Sequence, residues 1–374
     1  MKQTSRSLEN IDWSGFLARP RLPSPSPEVF DALYQTPMMI VGAGGSVGSA
    51  LALRLSILNP QRLLLLEPSE SNLYALQRRW KQAGASGSMI PVLGSAADRP
   101  LLDRLFAARR PRLVFHTALF RHVPLLEEQP LAAIHWNVFG TESLVQAAAA
   151  VGAHVVLLST DKAVEPVSVM GATRGIAEQL VLASGGTVLR IGNVLASRDS
   201  VAEVFARQIA EGGPLTVTDP AARRYFLTLD EAVNLLLIAA AQPVEGALMA
   251  PRLPATHFIS DLALFLARTL APETSVGIEF SGLRSGDKET EFLWAESDAT
   301  SPAAPEFGHE AMVYVEAPRL PGEQLGAGLA NLHTAASVFD LTAALAHLRW
   351  LVPGYRPSPA VEELARRMSL PDPA

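Results

Sequence analysis

The chain of 374 residues contains no cysteine. That excludes a disulfide framework, a thiol nucleophile and a cysteine metal site, and it fits a reducing compartment. Charge is sparse: 18% of residues are Asp, Glu, Lys or Arg against 48% hydrophobic, which excludes disorder over most of the length. Basic charge is not in excess. Lys and Arg number 31 and Asp and Glu 37, a net charge of −6 with pI ≈ 5.8, so nucleic acid is not an expected partner. Long apolar runs are missing as well. Mean hydropathy is +0.19, yet the longest stretch, Leu144 to Leu158, is interrupted by Gln146, Gly152 and His154. A membrane-spanning helix needs about 20 consecutive apolar residues. The opening residues, MKQTSRSLENIDW, lack the basic-then-apolar profile of a signal peptide. The expectation is a cytoplasmic protein with no membrane span.

What is present is a repeating texture. At about 100–200 residues per domain the length allows two or three domains. Residues 1–36, with RPRLPSPSPEVF, read as an extended, weakly structured lead-in arm. From Pro37, apolar runs alternate with amphipathic stretches: MMIV (38–41), RLLLLE (62–67), MIPVL (89–93), RLVFHT (112–117), HVVLLS (154–159) and TVLRIG (187–192). Helices are expected between them, from about Ser46, over 69–83, 99–109, 125–150 and 169–183. Continuous apolar strands separated by helices specify an α/β fold, a doubly wound, Rossmann-type parallel sheet covered on both faces. After Asn193 the alternation loosens. The expected division is a nucleotide-binding part over 37–193 with a returning segment near 226–250, a smaller substrate-binding part from 194–225 and 251–356, and a tail over 357–374. Residues 296–328 read as loop or a small cap.

Two constellations carry chemistry. The first is IVGAGGSVGSAL (40–51), with Gly42, Gly44, Gly45 and Gly48 between an expected strand and the helix headed by Ser46 and Val47. Glycines there permit a tight turn and let the backbone approach a pyrophosphate at the helix N-terminus. Glu67 ends the next strand, where an acid accepts from a ribose 2′-hydroxyl and favours NAD over NADP; a solvated loop acid is the plainer reading. Asp98 is a candidate for the adenine amino group or for a helix cap. The second constellation is LLSTDKAVEPVSVMGATRGIAEQL (157–180), which delivers Ser159, Thr160, Asp161 and Lys162 to the carboxyl edge of the sheet. Asp beside Lys offers a proton donor and an acceptor if burial tunes them, and is otherwise a common surface pair.

The chain resembles the extended short-chain dehydrogenase/reductases, in particular the polysaccharide-biosynthesis branch of nucleotide-sugar 4,6-dehydratases acting on UDP-N-acetylglucosamine. The matching stretches run through it: VGAGGSVGSAL, LLLLEPSESNLY, FHTALFRHVPLLEEQPLAAIHWNVFGTESLVQAA, LSTDKAVEPVSVMGATRGIAE, LRIGNVLASRDSV, GGPLTVTDPAARRYFLTLDEAV and EFSGLRSGDKETE. The resemblance implies that Gly42, Gly45 and Gly48 form the pyrophosphate turn. Thr160 lies beside the sugar, Asp161 is the acid for the leaving hydroxyl at sugar carbon 6, and Lys162 is the base at carbon 5. His122 and Asn137 fall in active-site segments, and Asn193, Arg224 and Arg284 hold the nucleotide-sugar diphosphate and its surroundings. Taken singly, His122 reads as a loop histidine and the two arginines as surface charge. The cofactor implied is NAD, the substrate a UDP-linked sugar, and self-association is common among the relatives. No metal is implied.

Two departures stand out. Most of the superfamily carries Tyr, and Lys four residues later, where this chain has Met170 and Arg174. Some dehydratases of this branch share the Met. Arg174 can donate to ribose hydroxyls but cannot exchange a proton near neutral pH, because its pKa exceeds about 12. Proton transfer then falls to Asp161, Lys162 or water. The expected activity is a hydride taken from carbon 4, loss of water across carbons 5 and 6, and return of the hydride to carbon 6. Two rivals stay open, a nucleotide-sugar epimerase on the same fold and a catalytically impaired nucleotide-sugar or NAD-binding protein.

Overall fold

Six apolar segments form parallel strands β1 (Met38–Val41), β2 (Leu63–Glu67), β3 (Met89–Leu93), β4 (Leu113–His116), β5 (His154–Thr160) and β6 (Thr187–Ile191), in the spatial order β3-β2-β1-β4-β5-β6. This computed structural model describes residues 8–58, 60–85, 88–241, 244–302 and 312–368. Residues of β1, β2 and β4 are buried throughout, because helices cover both faces and leave no side of these strands to water. At the edge, β3 is half exposed and tolerates Pro91, whose missing N–H costs little on a strand paired on one side. The order reverses between β1 and β4, so the crevice at their carboxyl ends is the place where such sheets bind ligands.

The helices start where the sequence supplies caps. Ser69, Asp98 and Ser168 each accept a backbone N–H of the following first turn, at the heads of Glu70–Gln82, Arg99–Arg109 and Val169–Ala183. The single helix expected over 125–150 is broken into Val123–Glu128, Pro130–Ala133, a widened π-type stretch Ile134–Phe139, and Gly140–Ala149. Pro130 has no N–H to continue the first piece. The widened turns centre on Asn137, and such bulges recur at functional sites.

Two further expectations change. The lead-in arm is packed rather than extended: Trp13, Phe16 and Leu17 join a second core with Leu195, Phe205, Leu215, Phe226 and Leu262. Arg19 locks the arm down through a buried ion pair with Glu231 at 2.7 Å. Within 296–328, Met312–Glu316 pairs antiparallel with Leu248–Pro251, which itself runs parallel beside β6, and Ala299–Pro302 pairs outside it. Apolar MVYV is what the sheet takes up, so this segment extends the main sheet where loop or a cap was expected. Residues 303–311 of that segment lie outside the described residues. The tail forms the helix Pro359–Met368, with Val361 and Ala365 buried. Ser358 Oγ donates to Glu127 Oε2 at 2.5 Å, and Glu127 Oε1 accepts from Val169 N at 2.7 Å, which ties the tail to the start of the helix following the Asp–Lys pair. Burial pushes the Glu127 carboxyl up from its ordinary value.

Candidate active site

The glycine turn is built by close contacts that only glycine permits. Gly42 has φ +80°, and Gly42 N and Ala43 N both donate to Leu66 O of β2, at 2.9 and 3.1 Å. A Cβ on Gly48 would stand 2.2 Å from Gly42 O, so the helix could not approach the turn. Glu67 is buried and is not a solvated loop acid: Oε2 accepts from Gly44 N at 2.9 Å and Oε1 from Ser69 N at 3.0 Å. It therefore holds the turn itself, with lone pairs left for a ribose hydroxyl. Ser46 and Val47 begin the helix Ser46–Ser56 directly after Gly45. A cradle in which side chains are sterically forbidden, set against a helix N-terminus, suits a pyrophosphate. Asp98 is exposed and accepts from Leu101 N at 3.0 Å, so its observed work is the helix cap.

At the end of β5, Thr160, Asp161 and Lys162 enter one hydrogen-bonded cluster. Asp161 is fully buried; its Oδ1 accepts from Lys162 Nζ at 2.9 Å and from the Thr160 hydroxyl at 2.9 Å. Lys162 Nζ also donates to Asn193 Oδ1 at 3.1 Å. The cluster extends to two residues that the sequence reading did not single out. Glu291, also buried, places Oε1 3.8 Å from Lys162 Nζ, while its Oε2 accepts from Lys288 Nζ at 3.0 Å. Carboxylates and ammonium groups thus alternate from Asp161 to Lys288, each charge facing its opposite. Both residues lie in GDKETE, and nothing in that stretch's spacing marks them. Behind the cluster, Ser159 Oγ donates to Glu178 Oε1 at 2.6 Å, and Glu178 pairs with Arg190 of β6 at 2.7 Å, which fixes the strand end.

Met170 and Arg174 are both buried in the following helix. Met170 packs into the main core and its side chain has no group that titrates. Arg174 is completely enclosed and donates to Leu158 O and to Ala118 O, which bridges the carboxyl ends of β4 and β5. Burial pushes its pKa down to about 10, partly offset by Glu178, so it stays charged at neutral pH. Its neighbour His116 is buried as well. Thr141 Oγ1 donates to Asn137 O at 2.7 Å, so the imidazole Nε2, 3.0 Å from Thr141 Oγ1, is the donor of that pair. Burial and then the Arg174 charge hold His116 well below the ordinary histidine range.

The remaining candidates divide. Asn137 is buried, accepting from Phe120 N at 2.9 Å and donating to Phe120 O and Thr173 Oγ1, each at 3.1 Å; it clamps the loop after β4 to the helix Val169–Ala183. Arg224 is buried and gives its N–H groups to the carbonyls of Arg223, Lys288 and Glu289, so it anchors the segment that carries Glu291. Arg284 is exposed and pairs with Asp287 at 2.8 Å beside Arg356 and Ser358, away from the Asp161 cluster's own contacts. His122 is exposed, with Nε2 3.9 Å from Asp199 Oδ2. Another residue missing from the sequence reading is Arg198, whose guanidinium reaches Gly44 O and Asn72 Oδ1.

The sheet order and the glycine turn define a Rossmann-type doubly wound fold. A family model described as polysaccharide biosynthesis protein matches residues 38–312. The capsular polysaccharide biosynthesis protein CapD of Staphylococcus aureus is 35% identical over 297 residues, 77% of this chain and 50% of CapD. A UDP-glucose 4-epimerase of Rickettsia canadensis is 34% identical over 275 residues, 70% of this chain and 78% of the epimerase. Among solved structures, the dTDP-glucose 4,6-dehydratase DesIV of Streptomyces venezuelae, determined with NAD bound, has TM-score 0.59 at 19% identity, covering 68% of this chain and 86% of its own. The chain belongs to the polysaccharide-biosynthesis family of extended short-chain dehydrogenase/reductases, and it spans half the length of CapD. Among the described residues, no helix is long and apolar enough to cross a membrane.

Proposed function

We propose that this chain is an NAD-dependent nucleotide-sugar 4,6-dehydratase, acting in the cytoplasm on UDP-N-acetylglucosamine and giving a 4-keto-6-deoxy sugar nucleotide for surface polysaccharide. The observation that carries the reading is the buried Asp161 bonded to Lys162 at the carboxyl edge of β5, in the crevice that the glycine turn also borders. NAD, when bound by Gly42, Gly44, Gly45, Gly48 and Glu67, supplies a reversible hydride acceptor for sugar carbon 4. Oxidation at carbon 4 acidifies the carbon-5 proton. Lys162 takes that proton and Asp161 protonates the carbon-6 hydroxyl so that it leaves as water. The carbon-4 hydroxyl proton passes to solvent, and Lys162 gives its proton back to carbon 5 as the hydride returns to carbon 6. Substrate is thus converted to the 4-keto-6-deoxy product and one water with no net oxidation. Asn193 and Glu291 hold the Lys162 amino group in place beside Asp161. Met170 and Arg174 take no part in proton transfer. Arg174 braces the ends of β4 and β5, and Arg224 holds the segment that carries Glu291.

A 4-epimerase is the second reading, supported by the Rickettsia canadensis relative. Mass spectrometry of UDP-N-acetylglucosamine after incubation with protein and NAD⁺ separates the two. Loss of one water supports the dehydratase, and an unchanged mass with an inverted carbon 4 by NMR supports the epimerase. Recovery of unaltered starting material would sink both readings for this substrate.

A further inference from the structure

We infer that Arg198 is a diphosphate-binding arm of the dinucleotide site, carried on a strap that closes over the glycine turn. The inference rests on the dinucleotide reading of that turn and adds a residue from outside it. Arg198 sits on the loop between the short strand Asn193–Val194 and the helix Val201–Ala210, in the smaller part of the fold. From there it reaches across the crevice. Its guanidinium donates to Gly44 O in the middle of the turn and to Asn72 Oδ1 at 2.5 Å in the helix after β2, and its backbone N–H donates to Ser46 Oγ at 3.0 Å.

The far side of the strap is tied to the loop after β4. Arg198 O accepts from Arg121, and Asp199 Oδ2 lies 3.7 Å from Arg121 and 3.9 Å from His122 Nε2. Ala196 and Asp199 both adopt left-handed backbone, φ 55° at each, which is unfavourable for residues with a side chain. Strain of this kind persists where the surroundings impose it, and it gathers at ligand clamps. The result is a bridge over the carboxyl ends of β1 and β4, with a planar cationic fork aimed at the turn.

Both guanidinium partners, a peptide carbonyl and an amide oxygen, are neutral. A diphosphate offers the same donors two charged, bidentate acceptors, which bind arginine more strongly. Either the dinucleotide or the sugar nucleotide could bring that diphosphate. Every group that Arg198 donates to belongs to Gly44, Ser46 or Asn72, on the dinucleotide side of the crevice, which assigns the arm to the dinucleotide.

Calorimetric titration of the wild-type chain, Arg198→Ala and Arg198→Lys with ADP-ribose, adenosine and UDP tests this. Arg198→Ala is expected to weaken ADP-ribose by more than about tenfold, the loss of a charge-assisted pair, with Arg198→Lys recovering part of it. Adenosine, which has no phosphate, and UDP are expected to bind both variants as they bind wild type. Unchanged ADP-ribose affinity in Arg198→Ala overturns the inference. So does a loss confined to UDP, which would give the arm to the sugar nucleotide. A wild-type chain that binds neither ADP-ribose nor NAD⁺ overturns the dinucleotide reading itself, and the inference falls with it. Arg198→Gln serves in place of Ala if the thermal midpoint of Arg198→Ala drops.

Discussion

Lys162 Nζ lies 2.9 Å from Asp161 Oδ1, and the second oxygen of that fully buried carboxylate has no hydrogen-bond partner among the described residues. One oxygen holds the lysine and the Thr160 hydroxyl; the other is enclosed and unpaired, so meeting a substrate hydroxyl requires the carboxyl to turn toward the crevice. The pair is therefore asymmetric in a way that suits an acid and a base acting on adjacent carbons. Asp161→Asn keeps the shape and one acceptor but cannot donate as an acid. It is expected to slow water loss from UDP-N-acetylglucosamine by about 10²–10⁴-fold, the usual worth of general acid–base catalysis, with an unchanged circular dichroism spectrum. A rate within threefold of wild type, followed by mass spectrometry, would count against the assignment. Lys162→Met is expected to lose activity and also about 3–5 kcal/mol of stability, because it strands the buried carboxylate.

Glu67 gives a second test. Its two oxygens serve two backbone N–H groups, Gly44 and Ser69. Glu67→Gln has one oxygen, so one of those donors loses its acceptor and the turn loosens. Hydrogen bonds to charged groups contribute about 1.5–3 kcal/mol, and ADP-ribose affinity is expected to fall by at least about tenfold in calorimetry. Equal affinity would mean that the turn holds its shape without the acid.

The packed arm makes a prediction about stability alone. Glu231 accepts from Arg19 through both oxygens and also from Leu22 N and Thr228 N. The side chains of Arg19 and Glu231 are 6% and 3% exposed. Arg19→Ala leaves that carboxylate short of its cation and is expected to cost about 3–5 kcal/mol in urea unfolding. A change below about 1 kcal/mol, the size of a surface pair, would mean that the arm is an accessory to the fold.

Acid sensitivity follows from His116. Buried and held well below its ordinary pKa, it stays neutral in the folded chain, while the unfolded imidazole takes up a proton below about pH 6.5. The unfolded state then binds more protons, so stability is complete above about pH 6.5 and falls as pH drops, by up to about 1.4 kcal/mol per pH unit for this group. His116→Asn is expected to flatten the stability profile between about pH 6.5 and 5 by one proton's worth. Some slope persists, because burial also holds His154 and His257 down. Identical slopes in variant and wild type would remove His116 as the cause.

The central sheet was legible because burial on both faces forces continuous apolar runs, and each of the six runs read from the sequence became a strand within a residue or so of its expected ends. The helix breaks were partly legible. Pro130 announces one, but the widened turns at Asn137 follow from packing of the loop after β4, which no local signal reports. The arm misled through its prolines. They do stop long helices, yet Pro27 heads a helix as a first-turn residue, and Trp13 and Phe16 found a core that lies far along the chain.

At the site, the sequence alone determined where backbone geometry is dictated locally: a glycine turn between strand and helix, and an Asp–Lys pair at a strand end. Those requirements live within a dozen residues, so composition and spacing carry them. Tertiary structure alone decided which distant charges meet. It placed Glu291 beside Lys162, turned Glu67 onto Gly44 and Ser69, enclosed Arg174 between strand ends, and laid Arg198 across the turn. The reason is physical. A buried charge is tolerable only when the fold brings it a partner, and which partner arrives depends on how the chain crosses the sheet rather than on its neighbours in sequence.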